Sequence, residues 1–297
     1  MPKKVVFFLS SDKYASPFDV LVLYDGGADA VVTYGDVSVD DVRSLVMDAM
    51  FPRGPKGIGD TTLFIGGKDV AKCEEMLKVA KKTMFPPFEI SVIFDPAGSC
   101  TTSAALVAKV AYTVKERLGG TLSGRKITVL AGAGNVGSRA AHLFAKEGAD
   151  VVIADLANDV AKKVASEVNE KVGLEKVSVF ELERSDDSVY EACKNSEIVV
   201  STAPPGVRTL SKDVLGKLSG CKLVADINAV PPEGIEGMKA TADGDEIASG
   251  VFSVGPLSIG VVKLQVELKL VEEAVSSQKG IFGYEEAYEL AKKVVGI

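Results

Sequence analysis

The sequence predicts an α/β protein with two α/β domains. Three observations lead there. Short apolar strands alternate with helical patterns along most of the chain, which favours parallel sheets. A glycine loop, LAGAGNVGSRAA at 130–141, joins a strand directly to a helix. An acid, Asp155, ends the following strand 18 residues after the last loop glycine. Together they predict that the central domain is a Rossmann-type dinucleotide-binding fold.

The elements follow in order. Val5–Leu9, Val31–Tyr34, Leu63–Ile65 and Ile90–Phe94 read as strands. Between them, Ser16-Pro17-Phe18-Asp19 and Ser38-Val39-Asp40-Asp41 read as helix starts, each a serine with an acid three residues on. A long helix runs from about Ser99 to Leu118 and stops at Gly119-Gly120. Six strands are expected after it, at 127–131, 151–154, 177–180, 197–200, 222–226 and 251–254. The stretch VVKLQVELKLV (261–271) alternates like a strand, yet Leu257, Val261, Leu264, Leu268, Val271 and Val275 form one helical stripe. The stripe outruns any ordinary strand and Pro256 suits a first helical turn, so a helix is expected.

Composition narrows the functions. Of 297 residues 46% are hydrophobic and 25% charged, an ordinary globular balance able to bury a full core. The net charge of −7 is a poor match for nucleic acid or an anionic membrane. No apolar run approaches the length of a membrane span, and Val5–Leu9 is too short for a signal sequence, so a cytoplasmic protein is expected. Cys73, Cys100, Cys193 and Cys221 form no CxxC and suit reduced thiols. His142 is the only histidine, which removes zinc sites built on several histidines and disfavours a Ser-His-Asp triad. No metal site is expected, and His142 is placed on the surface of the helix after the glycine loop.

The glycine loop carries the cofactor expectation. Gly132 permits the tight turn, Gly134 lets backbone approach a pyrophosphate, and Gly137 lets helix pack on strand. Asn135 and Val136 open the helix, where unpaired N–H groups and the helix dipole favour phosphate. Asp155 can accept hydrogen bonds from ribose hydroxyls or, alternatively, cap the next helix. Its charge and the uncharged Leu156-Ala157-Asn158 that follows favour NAD, with NADP possible. The loops at 201–206 and 226–232 lie after later strands, so Ala203, Pro204 and Asn228 are candidates for the nicotinamide wall, or parts of rigid turns. With no evident proton relay, a substrate that loses hydride without a strong base fits best. A methylene group between two nitrogens is one, because the resulting cation is shared by both lone pairs.

Here the residues carry a resemblance. The stretches PFDVLVLYDGGAD (17–29), IGGKD (65–69), FDPAGSCTTSAA (94–105), ADINAVPPEGIEG (225–237), GPLSIGVVKLQ (255–265) and IFGYEEAYELAKK (281–293) join the glycine loop in it. Over essentially its full length the chain resembles the NAD(P)-dependent methylene-tetrahydromethanopterin dehydrogenases of C1-oxidising bacteria. The resemblance implies hydride transfer from the methylene group of tetrahydromethanopterin, the C1-carrier substrate, to NAD(P). It implies a homo-oligomer, trimer or hexamer. It also implies a pterin-side domain at 1–100, completed by about 265–297, and an NAD(P)-binding domain at 101–264, with a cleft between the two domains. NADP-only members carry a basic residue just after the second Rossmann strand, where this chain has Asp155-Leu156-Ala157.

By position in that family, Lys263 faces the pterin and orients its polar groups without abstracting a proton. The alternative is a solvated lysine paired with Glu267 one turn on. Ser99, Thr101 and Thr102 line the cleft or cap the connecting helix. Asp19, Asp25 and Asp95 are candidate acceptors for pterin N–H groups, although Asp19 also suits the capping box of Ser16. Phe18 stacks on the ring or joins the core. Other Rossmann dehydrogenases, of the methylene-tetrahydrofolate or shikimate type, and a non-catalytic NAD-binding sensor remain as alternatives.

Overall fold

The computed structural model describes residues 2–297, which divide into two units. The first holds the chain up to Thr101 together with Leu264–Leu290. It starts with β1 (Val5–Ser10), α1 (Pro17–Asp25), β2 (Ala30–Tyr34), α2 (Val42–Met50) and the single turn α3 (Gly54–Gly57). β3 (Thr61–Gly66), α4 (Val70–Thr83) and β4 (Ser91–Phe94) follow. Ser16 caps α1 by accepting from the Asp19 N–H at 3.3 Å. The Ser38–Asp41 box also forms, with the Ser38 hydroxyl donating to Asp41 at 2.6 Å, but it closes a turn just ahead of α2. β3 and β4 are buried at every position, as strands covered on both faces should be. Leu63, Ile65, Val92 and Phe94 join Leu9, Met50 and Met76 in one core.

The chain leaves this unit within α5 (Ser99–Thr113), whose last turn widens over Val114–Leu118 before Gly119 and Gly120 turn it at positive φ. The second unit, Thr102–Lys263 with Ala291–Ile297, then alternates β5 (Lys126–Leu130), α6 (Asn135–Lys146), β6 (Asp150–Asp155), α7 (Asn158–Val172), β7 (Val177–Glu181) and α8 (Asp186–Cys193). It continues with β8 (Ile198–Ser201), α9 (Lys212–Lys217), β9 (Leu223–Asp226), β10 (Asp243–Ala248) and β11 (Val251–Val254). The strand order is β10-β11-β9-β8-β5-β6-β7. Only β10 runs antiparallel to its neighbour. From β7 inward this is the doubly wound order 3-2-1-4-5, and its direction reverses between β5 and β8. Ligands bind such sheets at that switch point, beyond the carboxyl ends of the strands.

The segment of ambiguous period is a helix, α10 (Pro256–Ser276), which leads back to the first unit. β12 (Gly280–Phe282) adds a short parallel strand beside β4, giving the order β12-β4-β3-β1-β2, and α11 (Tyr284–Val295) closes the chain. Two strands, β10 and β12, are additions to the expected set. The final residues 291–297 group with the second unit rather than the first. Lys292 pairs with Glu147 there at 3.7 Å, and Lys115 donates to the Gly296 carbonyl at 3.3 Å.

Candidate functional site

β5 is fully buried from Ile127 to Leu130 and delivers the glycine loop to the switch point. Ala131 turns the chain at a φ of 55°, held by its N–H donating to the Ala154 carbonyl at 2.9 Å. The three glycines then answer to different neighbours. A Cβ on Gly132 would lie 2.7 Å from the Val129 carbonyl oxygen. One on Gly137 would lie 2.6 Å from Thr202 Oγ1 and 2.7 Å from Gly132 Cα. A Cβ on Gly134 would meet only the Ala131 oxygen, at an ordinary 3.5 Å. Protein packing therefore requires Gly132 and Gly137 but leaves Gly134 unexplained. A ligand pressed against the backbone at Gly134 explains it. Among the described residues no side chain caps the first turn of α6 either, so N–H groups there suit a phosphate. The residues present thus fit a dinucleotide.

The loop borders a cavity of about 1100 Å³ lying within the second unit. Gly134, Asn135, Val136, Asp155, Ala203 and Pro204 line it, all expected from sequence. Asp155 closes the near side: its Oδ2 accepts from the Ala133 N–H at 2.9 Å and its Oδ1 from the Ala157 N–H at 2.8 Å. It is not the cap of α7, whose N-cap position is Ala157. Gly132 and Gly137 lie behind the wall as packing residues. Leu156, Val160, Leu182 and Val207 add an apolar wall, and Arg184 and Arg208 two cations, that sequence reasoning missed. The rule that found the 201–206 loop, position after a strand's carboxyl end, also points to 182–185 after β7.

Two loops close the far side. Thr202 Oγ1 donates to the Leu130 and Ala131 carbonyls at 3.1 and 3.0 Å, tying the loop after β8 to the glycine loop. Asp226 ends β9 fully buried and accepts from the Asn228 N–H at 2.9 Å and the Ile235 N–H at 3.0 Å. Burial pushes its carboxyl above the usual range, against the pull of those hydrogen bonds and of the Ser201 hydroxyl. Asn228 requires a correction. It is buried, accepts from Val230 and Gly206 N–H groups and donates to the Pro232 carbonyl, so it ties loops together. Ile227 lines the cavity beside it instead.

His142 is also corrected: it is buried on α6, not exposed, and does not line the cavity. Flanking Leu143 and Phe144 are buried too, so this part of α6 is enclosed on most sides.

In the first unit, α1 starts at the carboxyl end of β1 and runs back to the amino end of the parallel β2. Phe18, 48% exposed, and Asp19, half-buried, therefore stand at the carboxyl edge of the sheet. Asp25, the last residue of α1, stands at the opposite edge. The structure separates it from Asp19 by the length of the helix, so the two candidate acceptors stand at opposite edges of the sheet. Asp95 is buried, and its carboxylate accepts from the Cys100 N–H at 2.8 Å, the Thr101 N–H at 3.2 Å and the Thr101 hydroxyl at 2.6 Å. The buried Ser99 hydroxyl donates to the Pro96 carbonyl at 2.7 Å. Asp95, Ser99 and Thr101 thus build the start of α5, which is the capping alternative for Ser99 and Thr101 and a correction for Asp95, expected as a pterin acceptor. Thr102 and Lys263 keep partly exposed side chains.

Fold, glycine loop and terminal acid define a dinucleotide-binding protein of the dehydrogenase type. A solved quinate dehydrogenase from Corynebacterium glutamicum in complex with NAD shares that fold, with a TM-score of 0.52 at 12% identity over 99% of both chains. Residues 100–256 match the model of the alanine dehydrogenase/PNT C-terminal domain, and residues 17–97 that of the methylene-tetrahydromethanopterin dehydrogenase N-terminal domain. The chain is 40% identical to the bifunctional protein MdtA of Methylorubrum extorquens, over 99% of this chain and all of the relative. It is 32% identical, over the full length of both chains, to the NAD(P)-dependent methylenetetrahydromethanopterin dehydrogenase of the same organism. The chain belongs to the methylene-tetrahydromethanopterin dehydrogenase family.

Proposed function

We propose that the chain is an NAD(P)-dependent dehydrogenase oxidising methylene-tetrahydromethanopterin to the methenyl form in C1 (formaldehyde) oxidation. The similarity to a dehydrogenase of that name along the full chain supports the substrate. The observation that carries the chemistry is Gly134, a glycine that the protein's own packing does not need. NAD(P) supplies the hydride acceptor when bound. The first turn of α6 holds its pyrophosphate, Asp155 takes the adenosine ribose, and Ala203 and Pro204 wall the nicotinamide. Asp155 favours NAD over NADP, since a 2′-phosphate beside a carboxylate is repelled.

Residues 1–100, completed from about 265, supply the pterin side. There Phe18 offers an aromatic face and Asp19 an acceptor for pterin N–H groups, and Thr102 and Lys263 are the further polar candidates for contact with the pterin. Lys263 is a positioning group: an ammonium donates hydrogen bonds but cannot accept the proton that a base would take. None is required, because loss of hydride leaves a cation delocalised over two nitrogens of the substrate itself. We further propose a cytoplasmic homo-oligomer, trimer or hexamer. Among the described residues no helix is long and apolar enough to cross a membrane. Following NADH formation with methylene-tetrahydromethanopterin tests the reading; a folded enzyme without turnover contradicts it.

A further inference from the structure

We infer that Arg184 is the residue that lets this chain accept NADP as well as NAD, by meeting the 2′-phosphate from the strand beside Asp155. The inference rests on the dinucleotide reading of the cavity and goes beyond it to the basis of cofactor choice. β7 pairs with β6 so that Glu181 lies opposite Asp155, and the Leu182 N–H donates to the Asp155 carbonyl at 3.2 Å. The chain then leaves the sheet next to the acid that takes the ribose, and Arg184 lines the same cavity as Asp155 and Leu156.

Nearby cations are already committed. Lys162 pairs with Glu181 at 2.5 Å, and Arg208 pairs with Glu236 at 3.0 Å and Glu233 at 3.8 Å. Arg184 is exposed and, among the described residues, makes no ion pair. The residues directly after β6, Leu156 and Ala157, bring no charge, so a cation for the 2′-phosphate must come from elsewhere. A guanidinium presents the forked donors that phosphate oxygens accept. Both Asp155 oxygens accept backbone N–H bonds, which offsets part of the charge opposing a phosphate. Glu183 and Asp186 border the cavity as well, so Arg184 balances an acidic wall and does not dominate it. That balance gives dual use with NAD ahead, in place of NADP selectivity.

The test is calorimetric titration of wild type, Arg184→Gln and Arg184→Lys with NAD and with NADP, at low and moderate salt, without pterin. Loss of a charged contact should raise the ratio of the NADP to the NAD dissociation constant by about tenfold or more in Arg184→Gln. Arg184→Lys should restore part of it, and the salt sensitivity specific to NADP should fall in Arg184→Gln. An unchanged ratio overturns the inference, whether both affinities hold or both weaken together, since the arginine would then be solvated or a general adenosine contact. Wild type that binds neither dinucleotide would instead fail the reading of the cavity itself.

Discussion

Gly132, Gly134 and Gly137 sit within one loop, and their surroundings separate packing from function. Gly134→Val should leave the fold intact, because its Cβ meets only an ordinary contact, while abolishing dinucleotide binding in calorimetry. Gly137→Val forces a Cβ to 2.6 Å from Thr202 Oγ1 and should lower stability by about 1–3 kcal/mol or more, seen as an earlier thermal transition. Equal loss of stability in both variants would make the loop a plain turn. At Asp155, replacement by Ser should weaken NAD by about 1.5–3 kcal/mol and move kcat/KM toward NADP. A wild type preferring NADP, or a ratio that does not move, would refute the ribose assignment. Lys263→Ala should cut kcat/KM for the carrier roughly ten- to a hundredfold with NAD affinity held, if one charge-assisted hydrogen bond is lost. Unaltered kinetics would remove Lys263 from the pterin site.

At the scale of elements, the loop after β9 depends on one buried acid. Asp226→Ala would strand the Asn228 and Ile235 N–H groups in the interior, each at about 1–3 kcal/mol. Its melting temperature should fall, and hydrogen exchange should speed up across 227–235. Exchange unchanged in that loop would show that Asp226 does not anchor it. The same elements show what sequence can and cannot tell. Strands such as Val151–Ala154 were legible because burial on both faces writes an unbroken apolar run. β10, DGDEIA, was not, because an edge strand pairs on one side only and tolerates acids throughout. β12 is three residues long and shows no period at all. The glycine loop and Asp155 were legible because phosphate and ribose constrain local spacing. The edge that Asp25 reaches and the bonds that Asn228 makes were not, because tertiary structure sets both. Arg184 enters through strand pairing, which no local motif encodes.

For the molecule as a whole, all four cysteines are free and buried. Burial pushes the Cys193 thiol from an ordinary 9.0 up to about 12, and that of Cys221 up to about 11. Because both values are raised, the stability tied to protonated thiols is complete below pH ~9 and is lost as pH climbs through 11 and 12. Native protein at neutral pH should therefore resist thiol reagents, and its melting temperature should fall on the alkaline side. Rapid labelling of the folded chain would contradict that placement. The central claim joins a dinucleotide cradle to a pterin-side unit in one dehydrogenase, and one absorbance experiment tests it most directly. NADH formation is followed with methylene-tetrahydromethanopterin and methylene-tetrahydrofolate side by side, in wild type and in Gly134→Val. Turnover of the methanopterin substrate by wild type, lost in a folded Gly134→Val, is the predicted result; wild type inactive with both carriers, or Gly134→Val as active as wild type, would contradict it.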